Sequence, residues 1–210
     1  MIRIIVADDH HLIREGFKKT INREIDMEVV YSAENGEELL TSIQKVESDV
    51  IVLDINMPGR SGLDLIKDIR ALAPDTKILI LSMYSEDRFA VRALKNGASG
   101  YITKESAPEE MVNAIRKVHD RGKYVSQSLA EKLAFNLDSS ADQPLHERLS
   151  DREFQVFQLI GNGKTMNDIT AALNLSLSTV TTYRTRILEK MNFKSNAEII
   201  HYAIKSGLVD

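Results

Sequence analysis

Five side chains that can do polar chemistry stand where short apolar runs of this chain stop. Asp8 and Asp9 follow Ile2-Arg3-Ile4-Ile5-Val6, Asp54 follows the run 50–53, Ser82 follows 78–81, and Lys104 follows 100–103. Three carboxylates brought together repel one another, so something must offset their charge. A hard divalent cation bound through oxygen, with a lysine nearby, answers that need. A carboxylate can then act as a nucleophile and carry an aspartyl phosphate. Mg²⁺ offsets charge on the incoming phosphoryl group, lysine supplies a point charge to one phosphate oxygen, and a serine hydroxyl donates to another. Each residue taken singly has a plainer use. Asp9 could cap a helix, Asp54 could open a turn with Pro58-Gly59, and Lys104 could be a solvated surface lysine. Their joint placement favours a pocket.

That pocket requires an open sheet. Over residues 1–119, β-branched runs at 2–6, 29–33, 50–53, 78–81 and 100–103 alternate with helix-period segments such as Leu39, Leu40, Ile43 and Leu63, Ile66, Ile69. Five such repeats predict an α/β fold, a doubly wound five-stranded parallel sheet. The run 50–53 is apolar at every position, as a strand covered on both faces requires. In such a sheet ligands sit beyond the carboxyl ends of the strands, and all five residues fall at those ends. Ser106-x-x-Glu109 reads as a capping box for the fifth helix.

Asp8-Asp9, Asp54 with Met57-Pro58-Gly59 after it, Ser82, and Gly100-Tyr101-Ile102-Thr103-Lys104 resemble the motif set of the response-regulator receiver family, with its flavodoxin-like fold. The resemblance covers residues 1–119. It implies that Asp54 accepts phosphate from a histidine kinase. It implies Mg²⁺ held by Asp9, Asp54 and the main-chain carbonyl of Asn56, with Asp8 acting partly through water. It further implies that Ser82 and Tyr101 form a switch pair, the hydroxyl moving to the phosphate and the ring turning inward. Met83 departs from the small residue frequent at that position.

Beyond Gly122 the pattern changes. Residues 127–137 read as a helix and 138–144 as a polar linker. From Leu149 every segment has helical period, with capping boxes at Ser150-x-x-Glu153 and Ser195-x-x-Glu198 and a stop at Gly161-Asn162-Gly163. Ile169, Ala172 and Leu173 make one apolar stripe. After a break at Asn174-Leu175-Ser176, with Ser176 as cap, Val180, Ile187 and Met191 make another. Two helices with a tight turn predict a helix-turn-helix, against the plainer helical hairpin. At about 100° per residue, Ser178, Thr182, Thr185, Arg186 and Glu189 fall opposite Val180. Hydroxyls and an arginine there suit a major groove, so Ser178, Thr181, Thr182, Thr185 and Arg186 are candidate DNA contacts. Lys164, Lys190 and Lys194 are candidate phosphate contacts.

Leu149-Ser-Asp-Arg-Glu153, Gly163-x-Thr165-x-x-Asp168-Ile169 and Ser178-Thr179-Val180 resemble the LuxR-type output domain of NarL/FixJ-type response regulators over residues 148–208. Met166-Asn167-Asp168 departs from the usual polar-Lys-Glu run, and Arg184 replaces a usual apolar residue. The expected organisation is a receiver at 1–122, a helical segment and linker at 123–147, and an all-α helix-turn-helix domain at 148–210. By resemblance the helix from Ser195 to Ser206 forms a dimer contact, since Ile199, Ile200, Ala203 and Ile204 exceed one core-facing stripe. Arg184 projects toward the apolar side of the second helix, where either its head snorkels to the helix edge and meets a phosphate or, the favoured reading, it forms an ion pair with Glu153.

Composition and alternatives fit this reading. The net charge is −4, but from Arg148 to Asp210 eight Lys or Arg meet six Asp or Glu, a net of +2 that leaves −6 elsewhere. An acidic first part and a mildly basic second part suggest two jobs. There is no cysteine, so disulfides and thiolate metal sites are excluded. No apolar run approaches the roughly 18 residues of a membrane span, and the N-terminus does not read as a signal peptide, so the chain is expected in the cytoplasm. A haloacid-dehalogenase-type phosphatase also forms an aspartyl phosphate, but it needs a second acid two residues on. That position is Asn56. A constitutive DNA binder that has lost phosphorylation is the remaining alternative, and the complete set of pocket groups argues against it. The expected partners are thus a histidine kinase, double-stranded DNA and a second copy of the chain, with no membrane.

Overall fold

A computed structural model describes all residues except 56, 58–61, 84–85, 107, 127–128, 132–143 and 210. The chain divides into two compact units, Met1–Ala134 and Phe135–Asp210. Among the described residues no helix is long and apolar enough to cross a membrane. The expected helix at 127–137 and linker at 138–144 fall largely outside the described residues.

The first unit alternates strand and helix, as its two sequence periods require. Strands β1 (Ile2–Ala7), β2 (Met27–Ala33), β3 (Val50–Asp54), β4 (Lys77–Ser82) and β5 (Gly100–Thr103) are joined by α1 (His11–Ile21), α2 (Gly36–Ile43), α3 (Gly62–Leu72) and α4 (Glu86–Lys95), and α5 (Pro108–Arg121) follows. Every pairing is parallel and the order is β2-β1-β3-β4-β5. Winding reverses between β1 and β3, which opens a crevice at their carboxyl ends. All five residues of β3 are buried. Alternate strand residues Ile4, Val6, Val50, Val52, Leu79, Leu81 and Ile102 pack with Ile21 of α1 and Met111, Ile115 and Val118 of α5. The intervening Ile5, Ile51, Leu53, Ile78 and Ile80 point to the other face and are fully buried there.

Two local features seat the ends of elements. A Cβ at Gly62 would lie 2.6 Å from Asp54 O and from Ile55 Cα, so only glycine lets α3 begin against the end of β3. The fifth helix begins at Pro108, a residue suited to the first helical position. Ser106 therefore lies outside the helix, and its hydroxyl is shared with Thr103 Oγ1 at 3.2 Å rather than forming the expected capping box.

The second unit opens with a 3₁₀ turn (Leu145–Arg148), then α6 (Asp151–Gly161), α7 (Met166–Leu173), α8 (Leu177–Met191) and α9 (Asn196–Lys205). The box at Ser150 forms: Glu153 Oε2 accepts from Ser150 N–H at 2.7 Å and Ser150 Oγ accepts from Glu153 N–H. The chain leaves α6 through Gly163 at φ +74°. Asn174 at φ +50° turns it between α7 and α8, and Ser176 caps α8 by accepting from Thr179 N–H. Ser195 makes no side-chain cap; Glu198 accepts from Lys194 N–H at 3.0 Å instead. Phe154 and Phe157 stack at 5.9 Å within a core that includes Ile160, Ile169, Val180, Ile187 and Ile199.

Candidate functional site

The parallel sheet delivers its strand ends to one crevice. Asp8 and Asp54 are each 1% exposed, and the Lys104 ammonium reaches between them, 2.5 Å from Asp8 Oδ2 and donating to Asp54 Oδ2 at 2.8 Å. The backbone N–H of Lys104 donates to Ser82 O at 2.7 Å, which fixes the main chain at the lysine against the end of β4. Burial pushes the Lys104 ammonium toward deprotonation, but the Asp54 and then the Asp8 carboxylates outweigh it and raise its pKa. Lys104 is thus a held cation and not a solvated surface lysine. Ser82 and Tyr101 are both fully buried, so the Tyr101 ring lies inward.

Asp8, Asp9, His10 and Asp54 each bring a ligand atom within 4.8 Å of the others. Asp8 Oδ2 and Asp9 Oδ1 are buried oxygens that accept no aligned hydrogen bond, although Lys104 Nζ and His10 Nδ1 lie 2.5 and 2.7 Å away. Open carboxylate lone pairs around one point form the oxygen donor set that a small hard cation prefers. Asp9 does not cap α1: the cap position is His10, which makes no side-chain cap bond. Asn56 and the Pro58-Gly59 turn lie outside the described residues.

Two residues of this site escaped the sequence reading. His10 adds a ring nitrogen at the mouth, and its backbone N–H donates to Asp8 Oδ1 at 2.8 Å. Arg14, 4% exposed, donates from Nη1 to Asp8 O at 2.7 Å and from Nη2 to Glu34 Oε1 at 2.5 Å. It ties the loop carrying Asp8 and Asp9 to the end of β2. The signal was present: Arg14 and Ile21, seven residues apart, share the buried stripe of α1.

In the second unit Ser178, Thr181, Thr182, Thr185, Arg186 and Glu189 are all exposed on α8, while Val180, Ile187 and Met191 are buried. Lys164 and Lys194 are exposed as well. Lys190 has a partner within the fold, donating to Glu153 Oε2 at 2.6 Å. Glu153 is 2% exposed; burial raises its pKa, but Lys190 and the Ser150 cap outweigh that and leave it lowered. The expected Arg184–Glu153 pair is therefore not made. Arg184 is half-buried and donates from Nε to Asn196 Oδ1 at 2.6 Å. At about 100° per residue, Arg184 and Lys190 flank the buried stripe on opposite sides, and α6 packs on the lysine's side. Asp168 also has a use its departure from the family pattern concealed. It closes a capping box on Thr165, accepting from the Thr165 N–H at 2.9 Å and hydroxyl at 2.7 Å.

Comparison with known proteins agrees with both halves. Residues 4–116 match the model of the response regulator receiver domain, and 147–203 match that of the bacterial regulatory proteins of the luxR family. The chain belongs to the response regulators. It is 35% identical over 216 residues to the oxygen regulatory protein NreC of Staphylococcus carnosus, spanning 100% of both chains. It is 36% identical to the response regulator GacA of Pseudomonas aeruginosa, over 100% of this chain and 99% of that one. In fold it is similar to RcsB of Salmonella enterica bound to promoter rprA with the phosphomimetic BeF₃⁻, at TM-score 0.68 and 24% identity over 96% of this chain and 97% of the other. This response regulator is thus a receiver domain joined to a LuxR-type DNA-binding domain, a transcription regulator of a two-component system and not an enzyme. Membership in the family implies a histidine kinase and DNA as partners.

Proposed function

We propose that Asp54 is the phosphoryl acceptor and that α8 reads DNA. The observation that carries the first half is the buried lysine: Lys104 joins Asp8 and Asp54 at one crevice, with Asp9 and His10 at its mouth. An Asp54 oxygen attacks phosphorus of the kinase's phosphohistidine, the O–P bond forms as the N–P bond breaks, and the electron pair leaves on the imidazole nitrogen. Lys104 is positioned to take a phosphoryl oxygen, and Ser82 Oγ to donate to another. Asp8, Asp9 and Asp54 would hold Mg²⁺, together with the Asn56 carbonyl that the family resemblance implies; when bound, the ion offsets charge on phosphate and carboxylates. Ser82 and Tyr101 act as the switch pair.

The second half rests on the exposed face of α8, with Ser178, Thr181, Thr182, Thr185 and Arg186 toward bases and Lys164, Lys190 and Lys194 toward phosphates. Lys190 can serve both Glu153 and a phosphate, having three donors. The functional boundaries are a receiver at 1–122, a connecting segment at 123–147 and an output domain at 148–210, and the protein works in the cytoplasm, where its DNA is. Helix α9 supports a two-fold dimer, because Ile204 is 59% exposed and Ile200 half-buried beside the buried Ile199 and Ala203. Two such domains would meet half-sites about 34–36 Å apart. Addition of BeF₃⁻ with Mg²⁺ should increase dimer content and DNA affinity, read by sedimentation and fluorescence anisotropy. No change in either would favour constitutive binding.

A further inference from the structure

The recognition face of α8 is short of hydrogen-bond donors. The three threonine hydroxyls on it donate inward to carbonyls one turn back: Thr181 to Leu177 O at 2.8 Å, Thr182 to Ser178 O at 2.9 Å and Thr185 to Thr181 O at 3.1 Å. Each hydroxyl proton is spent on the helix, and each exposed side chain then offers its surroundings a methyl group and oxygen lone pairs. Ser178 Oγ is shared with Ser176 Oγ at 2.8 Å in the cap. Glu189 adds only acceptors. Lys190, paired with Glu153, and Arg184, bonded to Asn196, stand at the flanks of the face and not on it. Arg186 is the one guanidinium on the outward face.

Base edges differ in what they ask of such a surface. Guanine shows two acceptors in the major groove and needs donors. Thymine shows a methyl group, and adenine and cytosine show an exocyclic amine that needs an acceptor. A face of methyls and lone pairs therefore matches A·T pairs and mismatches guanine, except where Arg186 reaches.

Resting on the reading of α8 as the DNA-reading helix, we infer that this regulator selects half-sites with A·T pairs at their centre, through thymine methyls packed on the methyls of Thr182 and Thr185, and takes a guanine only at Arg186. The structural reason is that the hydroxyls, although exposed, are already committed as donors. Their contribution to specificity is the methyl.

The test uses the full chain activated with BeF₃⁻ and Mg²⁺. A preferred duplex is selected from a random pool, and each thymine is then replaced singly by deoxyuridine, which lacks only the methyl. The selected half-sites should be A·T-rich at the centre, and deoxyuridine at the contacted thymines should weaken binding about fourfold each, the worth of one buried methyl. Thr182→Val and Thr185→Val keep the methyl and should retain the deoxyuridine sensitivity at the matching thymine, whatever their overall affinity. Thr182→Ser and Thr185→Ser lose the methyl and should abolish that sensitivity at the matching thymine. Specific binding with no deoxyuridine effect, or valine variants that lose that sensitivity as the serine variants do, would overturn this inference alone. Failure to bind any duplex would overturn the reading of α8 beneath it.

Discussion

The acidic crevice and the recognition helix solve opposite problems with charged and polar side chains. In the crevice, charge is buried and must be balanced: Asp8 and Asp54 are each 1% exposed and share one lysine. On α8 the polar groups are wet, and the charges beside them are held by neighbours at 2.6 Å, Lys190 by Glu153 and Arg184 by Asn196. Burial makes each crevice residue costly to replace, because a partner is left uncompensated. Exposure makes each residue of the helix face cheap for the fold and consequential only when DNA arrives. Function can therefore vary more readily on the helix face than in the crevice, which is constrained by its own electrostatics.

Substitutions can break this contrast at several points, beginning in the crevice. Lys104→Met removes the cation that faces both carboxylates and should slow acetyl-phosphate-driven phosphorylation by about 10²–10³-fold, the usual loss on deleting one preorganised donor. Arg14→Lys keeps the charge but not the fork, so it cannot serve Asp8 O and Glu34 together. It should weaken Mg²⁺ binding by about tenfold in calorimetric titration, as outer-layer partners of metal ligands do. An unchanged Mg²⁺ affinity would reduce Arg14 to a merely structural tie.

In the output domain the expected effects are smaller. Lys190→Met leaves Glu153 buried without its cation and should cost about 1–2 kcal/mol of unfolding free energy, below the fully buried range because the lysine is partly wet. The pH dependence has a definite sign. Glu153 is held below its ordinary value of 4.5, so the pair contributes fully above that pH and is lost as pH falls through the folded value. Urea unfolding of wild type and Lys190→Met should therefore differ at neutral pH and converge in acid. Arg184→Ala loses one hydrogen bond to Asn196 and should cost about 1 kcal/mol or less. Equal losses in Arg184→Ala and Lys190→Met would mean that burial is not what sets them apart.

Much of this was legible in the sequence, for identifiable reasons. The crevice was, because parallel topology sends every strand end to the same edge, so Asp8, Asp54, Ser82 and Lys104 could be brought together from their places in the apolar runs alone. Arg14 was overlooked because a single arginine on a helix reads as surface, although it shares a stripe with Ile21. The wrong partner for Arg184 has a similar origin. Its position near the apolar side was correctly inferred, and so was the Ser150-x-x-Glu153 capping box. Which flank of α8 meets α6 depends on how the helices cross, and periodicity along one helix carries no information about that. The Thr165–Asp168 box was visible as Thr-x-x-Asp, but comparison with the family pattern made Asp168 look like a loss. Conversely, Ser195-x-x-Glu198 fits the pattern and does not form, since Glu198 takes the N–H one residue earlier.

We propose that the acidic crevice exists to phosphorylate Asp54. Intact-mass spectrometry of the full chain after acetyl phosphate and Mg²⁺ tests it most directly, with Asp54→Asn and an EDTA-treated sample alongside. The wild-type chain should gain one phosphoryl group, Asp54→Asn none because an amide oxygen is a poor nucleophile, and the metal-free sample none. Normal uptake by Asp54→Asn would contradict it.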